Sequence, residues 1–162
     1  MNYQIFEWMQ EGSYAKTPGE TEQAYMERIF RAVCETKADA EELSFNDRIA
    51  PEFYSCDAKN RTLCLRFKPQ EWQINPNGML HGGMMATAAD ITFGMLARYY
   101  VRAEKSVTME LNISYMKGIQ REEAYLVRAE AKQIGRHVKF LHADILIEDG
   151  EKQAAEATAL FM

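Results

Sequence analysis

The chain has 162 residues, 47% hydrophobic and 27% charged, which is enough for one apolar core under a charged surface. A net charge of -5 argues against a general nucleic-acid-binding protein. No apolar run approaches the ~18 residues that cross a bilayer, and residues 1–12 lack the pattern of a signal peptide. The three cysteines and three histidines lack the spacing of a metal site. We therefore expect a cytoplasmic protein that binds neither nucleic acid nor membrane and requires no metal.

Residues 1–44 are predicted to form an N-terminal extension with one amphipathic helix. Thr17 has the character of a helix cap, and Glu20 stands where it would complete a capping box. Helical spacing of apolar residues follows and predicts one helix that ends near Leu43. The residues that carry this spacing are Tyr25, Ile29, Val33 and Cys34.

Residues 45–162 are predicted to form one α+β domain. Two short β-like runs flank the turn at 57–60, which indicates a hairpin. The run 83–100 is helical in length and apolar nearly all round, which is typical of a helix surrounded by other elements. Four strands follow over 106–161, and their short joints predict an antiparallel meander. The resulting expectation is a curved antiparallel sheet wrapped around one central helix.

Asp90 is a single carboxylate in the middle of that apolar helix. No cation stands three or four positions away, so the helix itself offers no salt bridge. A carboxylate without a partner costs several kcal/mol or has a raised pKa, and either property suits a general base or nucleophile. The alternative is an acid that simply reaches solvent or a distant lysine.

Gly82 and Gly83 begin the same helix. The first amides of a helix have no intrahelical acceptor, so they can stabilise a carbonyl oxygen that gains negative charge. Glycines also make a plain tight turn, which is the alternative. If 82–90 is helical, these amides lie ~10–12 Å from Asp90 along the axis. One subunit would not bring both to a single carbonyl, whereas a symmetric dimer could.

The stretches NPNGMLHGGMMATAAD (75–90) and VTMELNISYM (107–116) resemble the PaaI-like, phenylacetic-acid-pathway type of hotdog-fold thioesterases. The resemblance covers about residues 45–162. It implies the hotdog fold, a homodimer joined at sheet edges that often pairs into a dimer of dimers, and hydrolysis of acyl-coenzyme A thioesters.

The same resemblance implies roles for six residues. Asp90 would activate water or attack the thioester itself, and the amide of Gly82, with Gly83 as a second candidate, would polarise its carbonyl. The remaining roles, holding the turn and the leaving side and placing the water, would fall to Asn75, His81 and Thr108. A histidine beside a tight turn is more commonly a structural hydrogen-bonder. Thr108 is predicted on the polar face of its strand, away from the helix, unless the strand start twists or that face meets a partner.

Coenzyme A, which enters as part of the substrate and not as a cofactor, carries phosphates that need donors. A glycine turn flanked by cations suits phosphate. One predicted hairpin has this composition, and a solvated hairpin tip is the alternative. Its candidate residues are Lys132, Gly135, Arg136, His137 and Lys139.

The sequence therefore predicts an acyl-CoA thioesterase. Three alternatives stay open: a non-catalytic acyl-CoA-binding protein of the same fold, a hotdog hydratase or dehydratase, and an interaction domain whose helix simply packs. A hydratase usually uses a histidine with an acid, and only His81 lies near the motif.

Overall fold

The computed structural model describes residues 4–7, 9, 12–36, 44–102, 106–149 and 152–162. The helices are α1 (Gln4–Glu7), α2 (Glu22–Glu35), α3 (Phe45–Ile49) and α4 (Gly82–Val101). The strands are β1 (Glu52–Asp57), β2 (Thr62–Phe67), β3 (Thr108–Tyr115), β4 (Tyr125–Ile134), β5 (Lys139–Ile147) and β6 (Lys152–Phe161).

The six strands form one antiparallel sheet in the order β1-β2-β4-β5-β6-β3. Helix α4 packs against five of them, β2 to β6, so the sheet curves around it. The predicted α+β hotdog fold is confirmed. None of the helices within the described residues is long and apolar enough to span a bilayer.

Helix α4 is enclosed because apolar side chains surround it. His81 caps its start, and Arg102 ends it in the left-handed conformation. The one buried hydroxyl in its middle, on Thr92, donates to the carbonyl of Ala88 at 2.8 Å, so it needs no other partner. The buried residues of the helix are Met85, Ala88, Ala89, Ile91, Thr92, Phe93, Met95, Leu96, Ala97 and Tyr99.

The predicted four-stranded meander is wrong for β3. This strand pairs with β6 at the edge of the sheet, whereas β4 pairs with β2 and β5. The connection from β3 to β4 is a crossover that docks on the segment before α4, with Ile119 fully buried and its carbonyl accepting from the Leu80 amide. The nine-residue connection, 116–124, is longer than a tight turn needs. Strands that follow one another in sequence are neighbours in the sheet in only about two-thirds of cases.

A bulge at the start of β3 turns Thr108 toward the helix. Thr108 pairs with Phe161, but Glu110 pairs with Leu160, so the register shifts by one residue around Met109. Cross-strand partners share a face, and Phe161 is buried against Phe93 of α4. Thr108 therefore lies on the helix side, in contrast to the prediction from strict alternation.

The N-terminal helix begins later than predicted. Thr21, not Thr17, caps α2, because Gly19 has a φ of +82° that interrupts the helix. Thr17 and Glu20 instead close a turn of their own. The predicted end near Leu43 is also wrong, because α2 ends at Glu35 and its C-cap Thr36 has an extended backbone. The buried face of α2 shares one core with α4 and the sheet and consists of Tyr25, Met26, Ile29, Phe30 and Val33.

Candidate active site

Asp90 meets Thr108 where α4 passes the start of β3. The Thr108 hydroxyl donates to Asp90 Oδ1 at 2.7 Å. Asp90 is partly buried, and no cation among the described residues forms an ion pair with it. Because Oδ1 is engaged, Oδ2 is the oxygen that faces no hydrogen-bond partner in the described part of the chain. The carboxylate is thus oriented but not neutralised.

His81 holds the glycine turn from within. It is the N-cap of α4, and its Nδ1 accepts a hydrogen bond from the Gly83 amide at 3.0 Å. An Nδ1 that accepts this hydrogen bond carries no proton, which is the Nε2–H tautomer of the ring. The Gly83 amide is satisfied, and the Gly82 amide has no acceptor within the described residues. Of the two predicted oxyanion donors, Gly82 is the open one.

The loop before the turn is fixed by its own hydrogen bonds. Asn75 Oδ1 accepts from the amides of Asn77 and Met79 at 2.9 and 3.2 Å. The His81 amide donates to the carbonyl of Gln73, and the Gln73 residue as a whole is 3% exposed. Asn75 thus orders residues 75–79, the loop that precedes the glycine turn.

Tyr115 contacts the turn from the far end of β3, a contact that sequence analysis missed. Its hydroxyl donates to the Gly82 carbonyl at 2.9 Å. Its ring lies 3.3 Å from where a Cβ on residue 82 would stand, so a side chain there would crowd the ring. The available signal was its place on the apolar side of an alternating strand, which predicts burial but not this partner.

Asp90 and Gly82 stay apart within one chain. They lie eight residues apart on one continuous helix, ~12 Å along the axis. Each is tied to an opposite end of β3, Asp90 through Thr108 and Gly82 through Tyr115. Completion of the site by a second subunit stays a prediction.

The cationic side chains of the hairpin between β4 and β5 lie in three different environments. Lys132 pairs with Glu130 at 2.6 Å, and Lys139 is 3% exposed on the helix side of the sheet. The tip carries the exposed side chains of Arg136 and His137, which have no ion pair within the described residues.

The hairpin tip requires glycine at 135. The Gly135 amide donates to the Val138 carbonyl at 2.9 Å, and a Cβ would stand 2.7 Å from that oxygen. Phosphate binding by the five hairpin residues stays a prediction, and Lys132, Arg136 and His137 are the exposed ones among them.

The described part of the chain contains no cluster of three or more His, Cys, Asp or Glu side chains that could hold a metal ion. The expectation that the protein requires no metal or cofactor stays a prediction.

Comparison with known proteins relates this chain to one family. Residues 77–154 match the Thioesterase superfamily. A rat protein, acyl-coenzyme A thioesterase THEM4, is 34% identical over 110 residues, which are 68% of this chain and 46% of that protein. The chain thus spans less than half of that relative's length.

Two solved structures share the fold. The crystal structure of zebrafish thioesterase superfamily member 2 is 26% identical, covers 87% of this chain and 97% of that one, and superposes with a TM-score of 0.69. A Streptococcus mutans protein bound to acetyl-CoA is 18% identical and covers 78% of this chain and 95% of its own, with a TM-score of 0.63.

Proposed function

We propose that this chain belongs to the thioesterase superfamily and hydrolyses acyl-coenzyme A thioesters to free acid and coenzyme A. The observation that carries the proposal is the 2.7 Å hydrogen bond from Thr108 to Asp90, on a helix whose first amide, that of Gly82, is open. A carboxylate and an unengaged amide donor are the two groups that acyl transfer to water needs.

In the general-base route, Asp90 Oδ2 takes a proton from water, and the water oxygen adds to the thioester carbonyl carbon. The Gly82 amide donates to the oxygen that becomes negative. The C–S bond then breaks, and the thiolate of coenzyme A takes the proton from Asp90. In the covalent route the carboxylate adds to the carbonyl carbon itself, and the C–S bond breaks to give an anhydride and the thiolate of coenzyme A. Water then cleaves the anhydride, which returns the Asp90 carboxylate and the acid, and the proton released is taken up by the thiolate. Thr108 serves both routes, because its hydrogen bond leaves Oδ2 as the reacting oxygen.

A homodimer joined through β3 would bring the two groups together. Within the described residues β3 pairs with β6 alone, so its other edge is free to pair with a second copy. In an antiparallel pair centred on this eight-residue strand, Thr108 of one copy would stand opposite Tyr115 of the other. Asp90 would then face the partner's glycine turn. The exposed apolar side chains of Val107, Met109 and Met116 support contact along this edge.

The proposal includes the tip of the β4–β5 hairpin as the site for the phosphates of coenzyme A. Replacing Arg136 by alanine is expected to raise KM for acyl-CoA at least tenfold with kcat nearly unchanged, because a phosphate contact remote from the thioester contributes to binding. Steady-state kinetics would measure both constants. Lys59→Ala, at the β1–β2 turn, is the matched control for loss of one exposed cation. An unchanged KM in the Arg136 variant would move the phosphate site elsewhere.

Release of the coenzyme A thiol tests the function itself. We expect release from one or more members of a panel of aryl-acyl and fatty-acyl CoA esters, read with a thiol-detecting reagent. Binding without release would favour a non-catalytic acyl-CoA-binding protein, and loss of an enoyl-CoA double bond without thiol release would favour a hydratase. We place the enzyme in the cytoplasm as part of this proposal, since Cys34, Cys56 and Cys64 are all free thiols.

A further inference from the structure

Tyr115 ties the edge strand to the first residue of α4. Its hydroxyl donates to the Gly82 carbonyl at 2.9 Å, and its ring lies 3.3 Å from where a Cβ on the same glycine would stand. Burial raises the pKa of the Tyr115 phenol above its ordinary value, so the hydroxyl is protonated at neutral pH and can donate. Residue 82 is thus held by a side chain from outside the helix.

This contact matters because Gly82 is the first residue of its helix. The start of a helix has few hydrogen bonds of its own and frays, and glycine adds backbone freedom. His81 and Tyr115 hold the N–H and the C=O of the same peptide, the one that joins Gly82 to Gly83. The Gly82 N–H belongs to the preceding peptide, so Tyr115 acts on it through the Cα of Gly82. An oxyanion donor is effective only if its N–H stays within about 2.7–3.1 Å of the developing charge.

We propose that Tyr115 is a positioning residue that holds the Gly82 amide toward the thioester oxygen. The inference rests on the proposed function, since it assigns a task within that reaction. Tyr115 itself contacts the peptide backbone and not the reacting atoms. In the β3-paired dimer it would stand beside the partner's Thr108, so it would fix the turn at the point where the two halves of the site meet.

Replacing Tyr115 by phenylalanine removes the hydroxyl and keeps the ring. We expect kcat to fall about tenfold with KM unchanged within twofold, because a loosened donor costs transition-state stabilisation and little binding. Thiol release gives both constants, and thermal melting and sedimentation report fold and assembly. Tyr54→Phe, a half-exposed tyrosine on β1, is the matched control and should behave as wild type.

A double-mutant cycle separates positioning from a general structural role. Gly82→Pro removes the amide, so in that background Tyr115→Phe should cost nothing further in kcat. Equal losses of kcat in both backgrounds, or a Tyr115→Phe enzyme with the wild-type kcat, would overturn the inference. The comparison of the two backgrounds is decisive even if the Tyr115→Phe variant has a lower melting temperature. Absence of thiol release by the wild-type protein would instead contradict the proposed function.

Discussion

Asp90→Asn is expected to lower kcat for thiol release by about 10²–10⁴-fold while acyl-CoA binding is retained. The asparagine carbonyl still accepts the hydrogen bond that Thr108 donates at 2.7 Å, so the position of residue 90 should change little. What is lost is the negative oxygen that takes a proton or attacks the carbonyl carbon. Single-turnover kinetics would measure the chemical step, and calorimetry with the same ester would measure binding.

Asp144→Asn is the matched control for this change. Asp144 lies on the outer face of β5, where its Oδ1 accepts from Gln153 at 2.8 Å, away from the helix. This variant should keep the wild-type kcat. If Asp90→Asn stayed within about threefold of wild type, the catalytic role of Asp90 would have to be abandoned.

Gly82→Pro is expected to lower kcat by about 10²–10³-fold, the usual cost of losing one oxyanion donor. Proline suits the first position of a helix, because the N–H it lacks has no intrahelical acceptor there. His81 already has φ -63° and ψ 134°, the extended backbone that the residue before a proline prefers. The substitution therefore removes the amide proton with little disturbance of α4.

Gly82→Ala controls for the added carbon atoms. Its Cβ would meet the Tyr115 ring at 3.3 Å, as the proline Cβ would, but the alanine keeps its N–H. The half-exposed ring can shift by a few tenths of an ångström, so this variant should lose far less activity. Equal losses in the two variants would mean that crowding, and not the amide, is responsible.

The central helix and the chemistry at its start could be predicted from sequence because both depend on local signals. The all-round apolar character of 83–100 predicted an enclosed helix, and α4 spans Gly82–Val101. Likewise, Asp90 was expected to have no cation beside it on the helix, and none of the described residues forms an ion pair with it. These features need only helical spacing and residue type.

Features that depend on non-local pairing could not be predicted. Strict alternation placed Thr108 on the outer face, and a single bulge around Met109 reverses this. The position of β3 at the edge, beside β6, depends on which strands pair with each other across the sheet. No local sequence pattern encodes that pairing. The contact between Tyr115 and Gly82 spans 33 residues and follows only from that topology.

The division of the site between two subunits is tested most directly by heterodimers of defined composition. Asp90→Asn and Gly82→Pro chains, co-expressed with different tags and purified as a pair, should recover about half of the wild-type kcat per dimer. One of the two shared sites then has both Asp90 and the Gly82 amide intact. A wild-type chain paired with the doubly substituted chain should be nearly inactive, since each shared site lacks one group. The opposite pattern, an inactive first pair and a half-active second pair, would mean that each site lies within one chain.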